Sequence, residues 1–142
     1  MKQQNFKNHS RWVIGYHGIT LIAILAFLVG SIRNFLKSSE DNLYSASLLV
    51  LLGFILFFMF HFLRSFALKA QDRAIRAEEK LRYFILTGKA ISNKITTRQF
   101  VGLRFASDEE FPALAEKAER ENLSENDIKK AIINWKADEY RV

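Results

Sequence analysis

The chain has 142 residues, enough for about one domain, with a net charge of +6 and no cysteine. The missing cysteine excludes disulfides, thiolate metal sites and cysteine nucleophiles. A mean hydropathy near zero hides a sharp division between two very apolar segments and a very polar remainder.

Residues 1–11 are a polar, basic tail. From Trp12 to Ile32 there are 21 residues without Asp, Glu, Lys or Arg, and from Asn42 to Leu63 there are 22 more. As helices these runs are about 32 Å long, close to the ~30 Å hydrocarbon core of a bilayer. They predict a membrane hairpin, residues 12–63, with spans over about 12–35 and 42–63 and a loop at 37–41. Trp12 and Tyr16 suit an interfacial aromatic belt, and Arg33 can snorkel to the headgroups. Asp41 or Asn42 is the expected cap of the second span. The first run is too long for a secretory signal and lacks a small-residue cleavage site.

Nothing breaks the helix after Leu63. The Ala-, Leu-, Arg-, Lys- and Glu-rich stretch 64–86 predicts one long helix that leaves the bilayer and ends at Gly88. It opens a cytoplasmic helical domain, residues 64–142. Phe66, Ala70, Ala74, Ala77, Leu81 and Phe84 form an apolar stripe at helical spacing, and Glu78 stands four residues before Arg82. About three short helices follow. Thr96 with Gln99 forms a capping box, and Ser107 with Glu110 a second. Ser124 with Asp127 approximates a third. Pro112 either bends a helix begun at Asp108 or opens one after a turn. The last helix is expected to carry Ile128, Ala131, Ile132 and Trp135 on one face, and the helix before it Phe111, Leu114, Ala115 and Ala118, both faces being available for packing. The fold class is therefore an all-α membrane protein.

The segments NLYSASLL (42–49), FALKAQDRAIRAEEKLRYFILTGK (66–89), LRFASDEEFPALAEKA (103–118) and LSENDIKKAIINWKAD (123–138) resemble an uncharacterised family of small bacterial two-span membrane proteins, a domain of unknown function. The resemblance covers nearly the whole chain. It implies a bacterial source and the two-span layout. It implies no activity and no catalytic residues.

Candidate chemistry is sparse. Measured from a loop midpoint near residue 39, His17 and His61 lie at equal depth, near the hairpin's far end. Imidazoles there could carry protons or hold a metal or haem. An interfacial structural role is the expectation. Ala26 and Gly53 are level in the same way, and Ala26-x-x-x-Gly30 is a small-residue pattern that allows close helix packing, within the hairpin or between protomers. Gly88-Lys89 lacks the upstream glycine of a phosphate loop. No Ser–His–acid arrangement stands out, and no enzyme activity, cofactor or metal is expected.

The leading expectation is a bacterial inner-membrane anchor or adaptor that presents its cytoplasmic helices for protein contacts. It would be a homo-oligomer, lie against anionic headgroups and bind no nucleic acid. The alternative is an oligomeric transport, ion-linked or cofactor-binding membrane protein using His17 and His61. Charge adds two expectations. Residues 64–106 carry ten basic and three acidic groups, and residues 107–142 carry six and ten. The acidic final helices should therefore dock on the basic juxtamembrane helix, of the same chain or a neighbour, with Trp135 as a core ring.

The second expectation is topology. Lys2, Lys7, Arg11, Arg64, Lys69, Arg73, Arg76, Lys80 and Arg82 flank one side of the hairpin, against Arg33 and Lys37 on the other, nine to two. By the positive-inside rule both termini are cytoplasmic. An impermeant thiol reagent should label Ser39→Cys in intact cells and miss a cysteine added at the C-terminus. The reverse pattern would overturn this topology.

Overall fold

The computed structural model describes residues 4–8 and 12–138; of the basic tail, Lys2 and Arg11 lie outside the described residues. A π-helical segment, Ile14–Thr20, leads into α1, Leu21–Lys37. Then come α2, Glu40–Thr87, α3, Thr97–Leu103, α4, Phe111–Arg120, and α5, Glu125–Ala131. The chain divides into two compact units. One is Arg11–Phe66; the other runs from Ala67 onward and includes the described segment 4–8. The long helix α2 belongs to both.

Within the first unit, Ile14–Lys37 and α2 are each long and apolar enough to cross a membrane. The first begins with a wide turn rather than the α-helix that the sequence suggests. The Thr20 hydroxyl donates to the Gly15 carbonyl five residues back at 2.8 Å, which suits that widening. The connection to α2 is shorter than expected. Ser38 is extended, and α2 begins at Glu40, so Asp41 and Asn42 lie inside its first turn rather than capping it. The Asn42 side chain donates to Ser39 Oγ at 3.2 Å, while Glu40 and Asp41 complement the helix N-terminus.

The hairpin closes on small residues. Ser31, Ala46 and Gly53 are its buried positions. Gly53 sits against Leu28: an added Cβ would stand 2.7 Å from Leu28 Cδ1 and 3.4 Å from its Cα. Ala26 and Gly30 point elsewhere. Both are exposed, and Gly30 has open space where a Cβ would be. With Ile22, Leu25, Val29 and Arg33 they line an open groove on the outer face of α1. At the other end of the hairpin Tyr16 stacks on Phe60 at 4.2 Å and donates to the Phe60 carbonyl.

The second unit is a helical domain with its own core. Phe100, Leu103, Phe105, Phe111 and Ile128 are its largest fully buried side chains. The long helix α2 ends at Thr87, and Gly88 takes φ +70, the left-handed cap that glycine permits. The Thr96–Gln99 capping box is complete and starts α3. Ser124 accepts from the Asp127 N–H at 3.2 Å and starts α5. The Ser107–Glu110 box is different: a turn precedes α4, and Pro112 sits in its first turn, where its missing N–H costs nothing.

Burial centres on α3, which packs against both α4 and α5. Within the chain the acidic helices thus pack on α3 as well as on the long basic helix. Gln99 explains why. Its buried amide donates to the carbonyls of Ala118 and Leu123 at 3.1 Å each, while its oxygen accepts from the Thr96 N–H at 2.8 Å. One side chain thus starts α3 and holds the end of α4. The long helix adds Ile75 and Tyr83, the latter edge-on to Phe111 at 5.9 Å.

The last helix stops at Ala131, four residues before Trp135. Ile132 is extended, and Ala106 and Trp135 form an isolated antiparallel β-bridge, with Ser107 N–H donating to Asn134 O at 3.1 Å and Lys136 N–H to Phe105 O at 2.8 Å. The Glu110 carboxylate accepts from the N–H groups of Ile133 and Asn134 at 3.2 Å each. These acceptors replace the helical ones that the chain gives up. Ala131 is consequently exposed, and Trp135 is half-buried, tilted on Phe105 at 5.0 Å. Phe111, Leu114, Ala115, Ala118, Ile128 and Ile132 are buried.

Gly102 marks the closest approach of α3 to α5. A Cβ there would meet Glu125 O at 3.0 Å and Ile128 Cγ2 at 3.1 Å. Gly102→Ala should therefore destabilise the domain by about 1–3 kcal/mol through overpacking. Gly30→Ala, which meets nothing, should not. Thermal unfolding of the purified full chain, read with protease protection of residues 97–131, checks this; equal midpoints for both variants would count against the close approach.

Candidate functional site

The domain carries a polar cleft of about 420 Å³ beside α2, lined by Gln71, Ala74, Ile75, Glu78, Glu79, Arg104, Lys136, Ala137 and Asp138. Helical spacing brings Gln71, Ile75 and Glu78 to one edge. The bridge brings Arg104 and residues 136–138 to the other. Arg104 pairs with Asp138 at 3.2 Å, with its side chain only 10% exposed. Burial pulls its guanidinium below the ordinary value, and the Asp138 charge opposes that shift. Gln71 Oε1 is buried and has no hydrogen-bond partner among the described residues. The Gln4 side chain of the N-terminal segment accepts from the Asp138 N–H at 2.8 Å.

Glu79 and Arg82 govern the adjoining wall. The sequence suggests an ion pair of Arg82 with Glu78, but Arg82 turns to Glu79 at 3.0 Å and to Asp108 at 2.6 Å. It also donates to the Ala106 carbonyl at 2.7 Å and lies 4.6 Å over the Phe111 ring. Glu78 remains exposed. Burial pushes the Glu79 carboxyl above its ordinary 4.5, and the Arg82 charge and hydrogen bond pull it back less strongly. The hydrogen bond from Arg82 holds Asp108 below its ordinary 3.8.

A buried acid with a raised pKa is often a catalytic group. Here burial raises it, Arg82 pairs with it, and the residues lining the cleft include no nucleophile with a base beside it. The arrangement can pair ions and accept hydrogen bonds, which is recognition chemistry. The residues proposed from sequence fall elsewhere. His17 is stacked on Trp12 at 4.8 Å, its Nδ1 at 3.2 Å from the backbone of Val13, the residue just before its own helix. His61 is exposed and edge-on to Phe62. Among the described residues no three of His, Cys, Asp and Glu gather as metal ligands. The sequence suggests Gln99 and Glu110 as capping residues but not their distant backbone partners, and it gives no sign of Arg104, whose acid lies far along the chain.

An all-helical chain with two apolar helices and a small packed domain is the class defined here. The whole chain, residues 1–142, matches the model of a family of unknown function (DUF6526), and the protein belongs to that family. No curated protein and no solved structure matches it.

The Arg82–Glu79 pair yields a test. Their side chains are 13% and 11% exposed. Arg82→Ala leaves a buried carboxylate without its partner, and the expected loss is about 3–5 kcal/mol at neutral pH. Glu79 has a raised folded pKa, so its own contribution to stability is fully present below the unfolded value and is lost as pH rises through the folded one. The Arg82→Ala loss should accordingly shrink in acid, where Glu79 is protonated. Adding Glu79→Gln should recover stability at neutral pH and little in acid. Chemical denaturation of the unmodified chain, both single variants and the double variant at both pH values measures this; a loss independent of pH would remove Glu79 from the account.

Proposed function

We propose that this protein is a bacterial inner-membrane anchor or adaptor. Its apolar hairpin spans the bilayer twice with both termini cytoplasmic, and the helical domain from Ala67 onward is presented for protein contacts. The observation that carries the reading is a contrast in burial. The domain covers its own Phe100, Phe105 and Phe111 completely, whereas the hairpin leaves Leu25, Val29, Leu48, Leu51, Ile55 and Phe58 uncovered. Side chains of that size, uncovered along two helices of spanning length, call for lipid as their solvent. Two further features support the reading. The basic flank at Lys69, Arg73, Arg76 and Lys80 suits anionic headgroups. The Gln4–Asp138 hydrogen bond joins the N-terminal segment to the domain, which accords with two spans and both termini on one side. The cleft beside α2 supplies ion pairs and hydrogen-bond acceptors for a partner, and no motif for turnover.

The test is retention and flux. The full chain should stay in the membrane pellet through alkaline carbonate extraction, and Leu25→Asp with Leu48→Asp should release it. Vesicles reconstituted with the protein should show no proton flux above empty ones. Extraction of the unmodified chain would sink the anchor. A flux abolished by His17→Phe or His61→Phe would favour transport instead.

A further inference from the structure

The long helix α2 is amphipathic twice. One face, with Ile75, Glu79 and Tyr83, is buried in the domain. The opposite face carries Ala67, Ala70, Ala74, Ala77, Leu81 and Phe84, with Ile85 beside them. Leu81, Phe84 and Ile85 are 60%, 54% and 71% exposed. Along this face the spacing alternates between three and four residues from Ala67 to Phe84. That is the a/d seam of a heptad repeat, sustained over more than two heptads. Read as a heptad, Ala67, Ala74 and Leu81 are a positions, and Ala70, Ala77 and Phe84 are d positions. Ile75, Glu79, Arg82 and Tyr83 then occupy b, f, b and c, the positions that face away from a coiled-coil partner, and these are the ones the domain covers. The seam from Ala70 to Phe84 is left exposed, Ala74 bordering the cleft and Ala67 being half-buried.

We propose that this seam pairs in parallel and in register with the same seam of a second copy of this chain. Charge selects both the partner and the direction. Arg73 and Lys80 are g positions; Gln71, Glu78 and Ile85 are e positions. A parallel pair sets each g residue against the partner's e residue five positions further on. Arg73 of each copy then meets Glu78 of the other, twice by symmetry, and the stem of Lys80 lies along Ile85. An antiparallel pair would set the basic g flanks against each other. Among the described residues neither Arg73 nor Glu78 has an ion-pair partner in its own chain. The four alanines allow the two backbones to approach closely near Ala67, while Leu81 and Phe84 fill the distal part. This deepens the anchor reading and rests on it in one respect, since two copies inserted with the same topology present their helices in parallel.

The chain has no cysteine, so single substitutions report cleanly. Full-length Ala70→Cys, Ala77→Cys and Phe84→Cys, each oxidised in native membranes, should give a disulfide-linked species at twice the chain's mass. Only the parallel arrangement brings all three of these positions against their own copies, since an antiparallel pair does so at its centre alone. Arg76→Cys, an exposed c position, should give none. In the Ala77→Cys background, Arg73→Glu and Glu78→Arg should each lower the cross-linked fraction about two- to fivefold, the weight of an exposed ion pair, and their combination should restore it. Equal cross-linking at Arg76 and Ala77, no product at all three d positions, or adducts only at masses other than twice the chain would overturn the proposal. Carbonate extraction reads the anchor separately. A retained chain without cross-links defeats the pairing alone, and an extracted chain that still cross-links defeats the anchor alone.

Discussion

Arg82 is the residue on which the domain depends. Its guanidinium is nearly buried, and each of its faces and edges is used: two carboxylates, the Ala106 carbonyl and the Phe111 ring. A planar donor with a fixed fork can do this; a lysine ammonium could not reach the same set at once. The consequence is topological. Arg82 belongs to α2, Ala106 and Asp108 to the turn between α3 and α4, and Phe111 to the first turn of α4. One side chain fixes where the chain re-enters the domain after α3. With that turn held, Glu110 is in place to receive the Ile133 and Asn134 amides, and residues 105–107 to bridge 134–136. The bridge in turn carries Lys136 and Asp138 to the cleft.

Local signals were legible in the sequence and long-range ones were not. Thr96 with Gln99, Ser124 with Asp127, and Gly88 each act within a few residues, so chemistry and spacing suffice to place them. The apolar faces of α4 and of α5 up to Ile128 follow from periodicity. The failures share a cause. Ile132 and Trp135 continue the helical spacing of Ile128, yet the backbone after Ala131 finds better acceptors in Glu110, Phe105 and the strand-like turn before α4. Trp135 therefore becomes a half-buried lid on Phe105 rather than a core ring. Gln99 was legible as a cap but not as the clasp on Ala118 and Leu123. Arg82 was legible as an ion-pair former, but helical spacing pointed to Glu78, and the third dimension gave it Glu79 and Asp108. Of the cleft, only its α2 edge could be read, since the other edge exists because of the bridge.

The charge division along the chain illustrates the same limit. Acids after residue 107 do meet bases before it: Asp108 with Arg82, Glu125 with Arg98 and Asp138 with Arg104. Only the first of these bases lies on α2. The free energy comes from the apolar faces around α3, at roughly 1.5–3 kcal/mol for each large side chain buried. The more exposed pairs, such as Arg98 with Glu125, act mainly on orientation. Composition can show that two segments will attract, but it is burial that decides which surfaces meet.

Small residues make the point most sharply. Gly53 and Gly30 have similar sequence contexts, each in a long apolar run, yet Gly53 lies against Leu28 and Gly30 faces open space. Spacing identifies a helix face; it does not say toward which neighbour that face is rotated. The alanines of α2 pose the same question beyond the hairpin. Their stripe is the most regular apolar pattern in the polar half of the chain, and the obvious inference from periodicity is that it seats the domain. Instead the domain takes the face with Ile75, Glu79 and Tyr83, two of whose three members are polar or amphipathic. That choice is understandable from Arg82, whose demand for Glu79 and Asp108 rotates α2 so that the charged face turns inward. Once a buried ion pair sets the rotation of a helix, its apolar stripe is left on the outside, and any second contact the protein makes along that helix must be made there.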